Sequence, residues 1–312
     1  MKGFDKKFGV EIEFSGIGIA QTLTALRNAG IQVHAERYNH TDHADHWKIV
    51  PDASVMGGQE VVSPILSGMD GLYEAARVVT ALNKAGAKIN QTCGLHVHFD
   101  AAELSVNELR TICERYAKHE AQIDAFMPTS RRANNNRYCM SLANVVACRA
   151  FKQARTVREL AGAQVSRYFK VNLQAYLRHQ TIEFRQHSGT VEATKLINWV
   201  LFLSAFIDES VRLAGANTSQ ASEAVAPLIA LFADRPELSI HEMAAALGCT
   251  VPSCVGRILG ARKSGFNIEK LRGSRYRLNG AAETAAVNDD LFDGIPEAVK
   301  MFYQVRALEL AA

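Results

Sequence analysis

FGVEIEF, residues 8–14, alternates in the manner of an extended chain: Val10, Ile12 and Phe14 fall on one side, Glu11 and Glu13 on the other. The fold must supply something apolar to cover the first side and something cationic to answer the second. Two other segments repeat this design. CGLHVHFD (93–100) sets His96 and His98 on one face, and TIEFRQHSGT (181–190) does the same for Glu183 and Arg185. The run from Trp47 to Pro64 reads as a hairpin, WKIVPD and QEVVSP joined by a turn near Met56-Gly57-Gly58, and it adds Asp52 and Glu60.

Helical spacing fills the gaps between these strands. A helix is expected over 20–29, closed by Gly30, and another over 70–85 through Leu72, Ala75, Val78, Val79 and Leu82, closed by Gly86. A third runs over 106–127 with Leu109, Ile112, Cys113, Tyr116, Ile123 and Phe126 inward, stopped by Pro128, and a fourth covers 193–213. Strand, helix, hairpin, helix, strand, helix, strand, helix is the order of an α+β domain. Its sheet rests one face on helices and turns the other toward a polar cavity. The small-polar stretch AGANTSQASEA (214–224) reads as a linker. It divides the chain into a domain over 1–214, a small unit over 225–280 and a terminal helix within 285–312.

Composition bounds the function. Of the 312 residues 48% are apolar and 21% charged, the balance of a soluble globular chain with a sizeable core, and the net charge of +3 gives no global attraction to nucleic acid or membrane. The longest apolar run, LINWVLFLSAFI, has 12 residues, short of the roughly 18–20 a spanning helix needs. The six cysteines form no C-x-x-C pair and read as reduced, packed thiols, Cys93 included. With no apolar leader segment at the N-terminus, a cytoplasmic protein without a membrane partner is expected. There is no G-x-x-x-x-G-K-[ST] and no G-x-G-x-x-G after a strand, so nucleotide would not bind through a P-loop or Rossmann site; no nucleophile-elbow signature occurs either.

Taken singly, each charged motif has a bland reading: a wet sheet face for E-x-E and H-x-H, a same-face ion pair for E-x-R. Together they place carboxylates side by side on one face, and burying even one costs several kcal/mol unless a cation balances it. Oxygen-rich ligation without thiolates or three histidines favours magnesium or manganese over zinc. Arg185, two residues from Glu183, would meet an anion that the metal also meets, which suits phosphate.

These same segments, FGVEIEF, WKIVPDASV…GQEVVSPIL, CGLHVHFD and RYFKVNLQAY…TIEFRQHSGT, resemble in order the amidoligase family of the carboxylate–amine ligase superfamily, which contains glutamine synthetase and glutamate–cysteine ligase. The resemblance spans about residues 8–210. It implies a curved antiparallel sheet with ATP at one end of the cavity and metals bridging its phosphates. The γ-phosphoryl would pass to a substrate carboxylate, and an amine would attack the resulting acyl phosphate; a peptide or protein terminus is among the substrates implied. Glu11, Glu13, Glu60, His96 and Glu183 match the superfamily's metal ligands, and Arg185 matches the arginine facing the transferring phosphate. Asp52 matches an acidic residue that is a further ligand or orients the amine. SRRANNNRYC (130–139) resembles the family's central loop, which brings in Arg131, Arg132 and Arg137 for phosphate or substrate carboxylate, with a solvated basic loop as the alternative. Tyr168 and Asn172 match its R-Y-x-x-x-N pattern.

Residues 225–280 have another character. SIHEMAAALG, TVPSCVGRILGARKSG and FNIEKLRGSRYRL outline a winged helix-turn-helix and resemble the N-terminal domains of biotin-repressor-like regulators. Between Gly248 and Leu278 seven basic residues (Arg257, Arg262, Lys263, Lys270, Arg272, Arg275, Arg277) face one acid, Glu269. The excess lies on the expected recognition helix and wing, so Arg257, Arg262, Lys263 and Arg275 become candidates for DNA contact, with docking of a protein or peptide as the other reading. The chain can thus be read as an ATP-dependent ligase or, alternatively, as a DNA-binding regulator with a ligand-sensing domain. A hydrolase using His96 and His98 lacks a third histidine.

Overall fold

The computed structural model describes residues 4–37, 45–55, 57–235, 237–263, 266, 268–278 and 290–311. β1 (Lys7–Ser15) forms where the alternation requires it, with Phe8, Val10, Ile12 and Phe14 buried. It is followed by α1 (Ile19–Asn28), β2 (Val33–Ala35), β3 (Trp47–Pro51), β4 (Gly58–Val62), β5 (Leu66–Ser67) and α2 (Gly68–Lys84). Then come β6 (Leu95–Asp100) and α3 (Val106–Ala125), the latter opened by a capping box in which Ser105 and Glu108 each satisfy the other's backbone N–H. Gly30 and Gly86 adopt positive φ just past the first two long helices, as their positions predict.

Three short helices, α4 (Ala143–Ala147), α5 (Arg149–Gln153) and α6 (Val157–Gly162), lead to β7 (Val171–Asn172), α7 (Tyr176–His179), β8 (Thr181–Phe184) and the long α8 (Ala193–Asp234). The sheet order is β2-β3-β4-β1-β6-β8-β7, with β5 beside the start of β1. Among the described residues of this sheet β2 pairs parallel with β3, and the other ladders are antiparallel. One face packs on α2, α3 and α8, whose Leu72, Val78, Leu109, Ile112, Trp199 and Phe202 join the strand residues in one large apolar cluster. Each such side chain removed from water contributes roughly 1.5–3 kcal/mol. That burial pins the register, because a slip of one residue would drive Glu11 and Glu13 into the core. The hairpin over Trp47–Pro64 is present, although Met56 of its turn lies outside the described residues.

Residues 214–224 are not a loop. They continue α8, which runs without a break to Asp234. Small-polar composition misleads here because Ala, Gln and Glu are good helix formers. Beyond α8 lie β9 (Glu237–Ser239), α9 (Ile240–Ala246), α10 (Val251–Lys263), β10 (Ile268–Lys270) and β11 (Arg275–Leu278), the strands forming a separate three-stranded sheet in the order β10-β11-β9. Leu228 and Phe232 from the end of α8 join Met243, Cys254, Ile258 and Tyr276 in a second apolar cluster. Of the expected terminal helix, residues 285–289 lie outside the described residues; α11 (Glu297–Ala311) packs back on the first cluster, with the Tyr303 ring 4.5 Å from Phe126 and 5.3 Å from Phe202. All six cysteines are free thiols. No single helix among the described residues is long and apolar enough to cross a membrane.

Candidate active site

The strand ladders set the charged residues opposite one another. Glu13 faces Glu60 across β1–β4, Glu11 faces His96 across β1–β6, and His98 faces Glu183 across β6–β8, with Asn172 next in line on β7. All turn away from the helices into a cavity of about 300 Å³. Glu13, Glu60, His96 and Glu183 are buried, and Asp52 and Glu11 are partly so. His96 Nδ1 lies 2.9 Å from Glu11 Oε2, and its Nε2 lies 3.6 Å from Glu13 Oε1. Glu13 also accepts the Gly94 N–H at 2.6 Å, and Glu183 accepts from Asn172 Nδ2 at 2.6 Å while pairing with Arg185 Nη1.

Three overlapping sets of donor atoms result: Glu11–His98–Glu183, Glu11–Glu60–His96 and Glu13–Asp52–Glu60, each set lying within 4.8 Å of itself. The five ligands expected from sequence therefore converge, Asp52 joins them, and His98 enters as a further donor. His98 Nδ1 is 3.0 Å from Thr181 Oγ1. Its Nε2 is buried 3.3 Å from Glu11 Oε1 and yet makes no well-aligned hydrogen bond, which leaves a ring nitrogen aimed into the carboxylate set.

The model of the family described as "Putative amidoligase enzyme" matches residues 5–207. This chain belongs to the amidoligase family. Membership marks it as an amide-bond-forming ligase; no curated protein matches the chain. The match contains every residue of the cavity and ends within α8, before the second apolar cluster.

Electrostatics within the amidoligase cavity carry the strain of like charges. Burial, then the charges of Glu11, Glu13 and Asp52, push the Glu60 carboxyl well above the usual carboxylate range. Burial would do the same to Glu11, but the His96 hydrogen bond and the adjacent His98 imidazole outweigh it and hold Glu11 well below that range. For Glu183 the burial effect is overcome by Arg185 and then His98, so its pKa falls. Burial would lower His98, and Glu183 with Glu11 reverses the sign. At Glu60, by contrast, the pull of Arg185 does not offset burial and the neighbouring carboxylates. A carboxylate that its neighbours disfavour, beside overlapping oxygen-rich donor sets, fits a hard divalent ion.

The arginines divide. Arg185 lines the cavity, donates from Nε to Tyr138 O at 3.2 Å and stands 5.8 Å over the Tyr168 ring. Arg131 does not line it. Its buried guanidinium donates to the carbonyls of Cys93 and Thr92, beside Gly94 and close to the His96 ring. Arg132 donates from Nε to Met127 O at 2.7 Å and lies off the cavity as well. Neither of the two expected phosphate or catalytic arginines is thus among the residues lining this cavity; both donate to backbone carbonyls. Arg137 is exposed and rests on Tyr138 at 4.7 Å, one residue removed from the lining.

Lining the amidoligase cavity instead are Arg167 and Arg178, together with Lys48, Tyr138, Tyr168 and His179. The Tyr138 and Tyr168 rings meet edge to face at 5.1 Å, and Arg167 covers Tyr168 at 5.2 Å. Lys48 was open to discovery from sequence, since it shares the period-two face of β3 with Val50 and Asp52. Arg167 precedes the matched Tyr168 directly. Arg178, on the single turn α7, left no periodic signal. In the small C-terminal unit Arg262 donates to Ile268 O at 2.8 Å, Arg275 and Arg277 pair with Glu237, and Arg257 is exposed; the Lys263 side chain lies outside the described residues.

Proposed function

We propose that this amidoligase joins a carboxylate to an amine at the expense of ATP, in the manner of glutamine synthetase and glutamate–cysteine ligase, on a curved sheet of their type. The convergence of three overlapping donor sets beside Arg185 carries the reading. Glu11, Glu13, Glu60, His96 and Glu183 would hold magnesium or manganese, with His98 and Asp52 completing the sets. When bound, the metal neutralises phosphate charge and orients the nucleotide.

The chain's own residues do the remaining work. Arg185, held by Glu183 and Tyr138, presents its guanidinium to a transferring phosphoryl group, and Arg167 and Arg178 face the same space. Transfer of the γ-phosphoryl to a carboxylate releases ADP and gives an acyl phosphate. Attack by the amine then forms the amide and expels phosphate, the amine losing a proton. Asp52, partly buried next to Glu13 and Glu60, would serve as a further ligand or orient that amine.

Residues 225–280 are read as a winged-helix unit serving this cytoplasmic enzyme. Its α10 exposes Val255 (37%) and Leu259 (49%), one helical turn apart, around Arg257, while Arg262, Arg275 and Arg277 are engaged within the unit. An apolar stripe on that helix favours docking of a protein or peptide over DNA.

The test is ADP release from magnesium and ATP by the full chain, with and without pooled amino acids and peptides. The expected result is release that needs magnesium, rises with substrate and disappears in Glu183→Gln. Absence of ATP binding under every condition would remove the ligase reading.

A further inference from the structure

The acidic cavity does not end at Glu11. A second cavity of about 360 Å³ continues from it along the same face of the sheet, sharing the wall formed by Glu11, Lys48, Val62, His98 and His179. Its floor is the first half of β1. A break in the neighbouring ladder makes it: β4 last pairs with β1 at Glu11↔Val62, and β5 resumes at Phe8↔Leu66. Between those pairs β1 has two residues, Gly9 and Val10, and the facing chain has three, Ser63, Pro64 and Ile65. The extra residue is a β-bulge, which bends the chain out of the sheet. Ser63 anchors it, donating its N–H to Val10 O at 2.9 Å and accepting the Val10 N–H on its hydroxyl at 2.9 Å. Pro64 has no N–H to pair, and Ile65 emerges 57% exposed as the lip of the groove.

Gly9 lies opposite that bulge, in the cavity-facing row of β1 with Glu11 and Glu13. Its φ is not positive, so its backbone does not require glycine. An added Cβ would meet Ser63 Oγ at 3.6 Å and His98 Cβ at 4.0 Å, ordinary contacts, so packing does not require glycine either. Glycine weakens a strand interior, and where the fold gains nothing from it the missing side chain leaves room for a ligand. The apolar walls are Val62, Pro64, Ile65 and Ala102, and among the described residues no arginine lines this groove, whereas Arg167, Arg178 and Arg185 line the first cavity.

We infer that the groove receives the aliphatic body of the non-nucleotide substrate, extended over Gly9, with its reacting end at Glu11, His98 and Glu183. This inference rests on the ligase reading and adds the substrate class: a carboxylate or amine bearing an unbranched apolar chain, approaching from the side opposite the arginines.

The experiment measures ADP release by the full chain with magnesium and ATP. The probes are straight-chain α-amino acids from alanine to 2-aminooctanoate, with matching alkylamines and alkanoates. In the wild type the apparent KM should fall along at least one series by about fourfold per methylene, as burial of about 0.8 kcal/mol per CH₂ gives. Gly9→Val, which fills the floor, should flatten that gradient and leave the KM for ATP unchanged. Gly9→Ala should fall between, and an ATP-induced rise in melting temperature in all three proteins shows that each is folded. A KM independent of chain length in a wild type that binds ATP overturns the groove assignment alone, as does a gradient that survives in Gly9→Val. Failure of the wild type to bind ATP instead overturns the ligase reading beneath it.

Discussion

The acidic cavity and the basic C-terminal unit are both dense in charge, and the protein treats them in opposite ways. In the cavity Glu13, Glu60 and Glu183 are 4%, 7% and 4% exposed and converge on one another, and Glu60 has no cation to itself. In the small unit Arg275 and Arg277 share Glu237, Arg262 lies against a carbonyl and 6.0 Å from the Tyr276 ring, and the remaining described basic residues are open to water. Charge density in the sequence is therefore a poor guide by itself. What marks a site is burial of like charges that the protein's own groups leave uncompensated, since water screens exposed charges at little cost.

The comparison is sharpened most by a buried charge that is compensated. Lys170 is fully buried on the helix side of the sheet, 2.7 Å from Asp124 and 3.3 Å from Glu120. Those two acids also accept the Ala133 and Leu142 N–H groups, so the cluster holds both ends of the central loop. Lys170→Met leaves two carboxylates without their cation and is expected to lower stability by about 3–5 kcal/mol in urea unfolding. A loss below about 1 kcal/mol would mean that burial does not separate the two classes of charge.

Next in size is the effect of Arg185. Replacing it with Gln removes the guanidinium from the phosphate side of the cavity, and magnesium-dependent ATP turnover should drop by about 10²–10³-fold. The double variant Arg257→Ala, Arg272→Ala, which removes exposed charge from the basic unit, should leave turnover at the wild-type level. Equal losses in both would break the contrast.

Glu60 gives a smaller effect whose sign depends on pH. Its folded pKa is raised well above the ordinary carboxylate value by burial first and by Glu11, Glu13 and Asp52 after that. The stability it contributes is thus present below that value and lost as pH rises through the folded pKa. In chelator-treated protein, Glu60→Gln should melt higher than wild type at pH 8 and no higher at pH 4. Added magnesium should shrink the difference at pH 8 by stabilising the wild type alone. A difference that is flat with pH would show that Glu60 carries no such burden.

Much of this contrast is legible in the sequence. Alternation located β1, β6 and β8, and a hairpin signal located β3 and β4; each strand has one face in the core and one in the cavity, and that two-sidedness is what a period of two records. The expected ligands met for the same reason: residues on ladders must face one another. β2, β5 and β7 are two or three residues long, too short to show a period. Arg131 and Arg132 donate to backbone carbonyls and do not line the cavity, and a loop's basic composition does not say which way it turns. Arg178 was missed since a four-residue helix carries no repeating pattern. The 214–224 segment failed differently. Its composition is that of a linker, and its helix is a continuation of the buried turns before it.

The weakest effect should come from the basic unit's own ion pairs. Arg277 contacts Glu237 through both Nε, at 3.1 Å, and Nη2, a geometry that on paper looks stronger than any contact Glu60 makes. Yet the Arg277 and Glu237 side chains are 44% and 32% exposed, so water competes for every donor and salt screens the attraction. Glu237 is held below its usual range first by the Arg277 hydrogen bond. Because the pair is open, that preference should not translate into a measurable gain. Arg277→Ala should leave the melting temperature within error at 0.5 M salt and ATP turnover unchanged. A clear loss of stability that persists in high salt would mean that the pair is sheltered by a partner docked on this unit, and the line drawn between buried and exposed charge would have to move to include it.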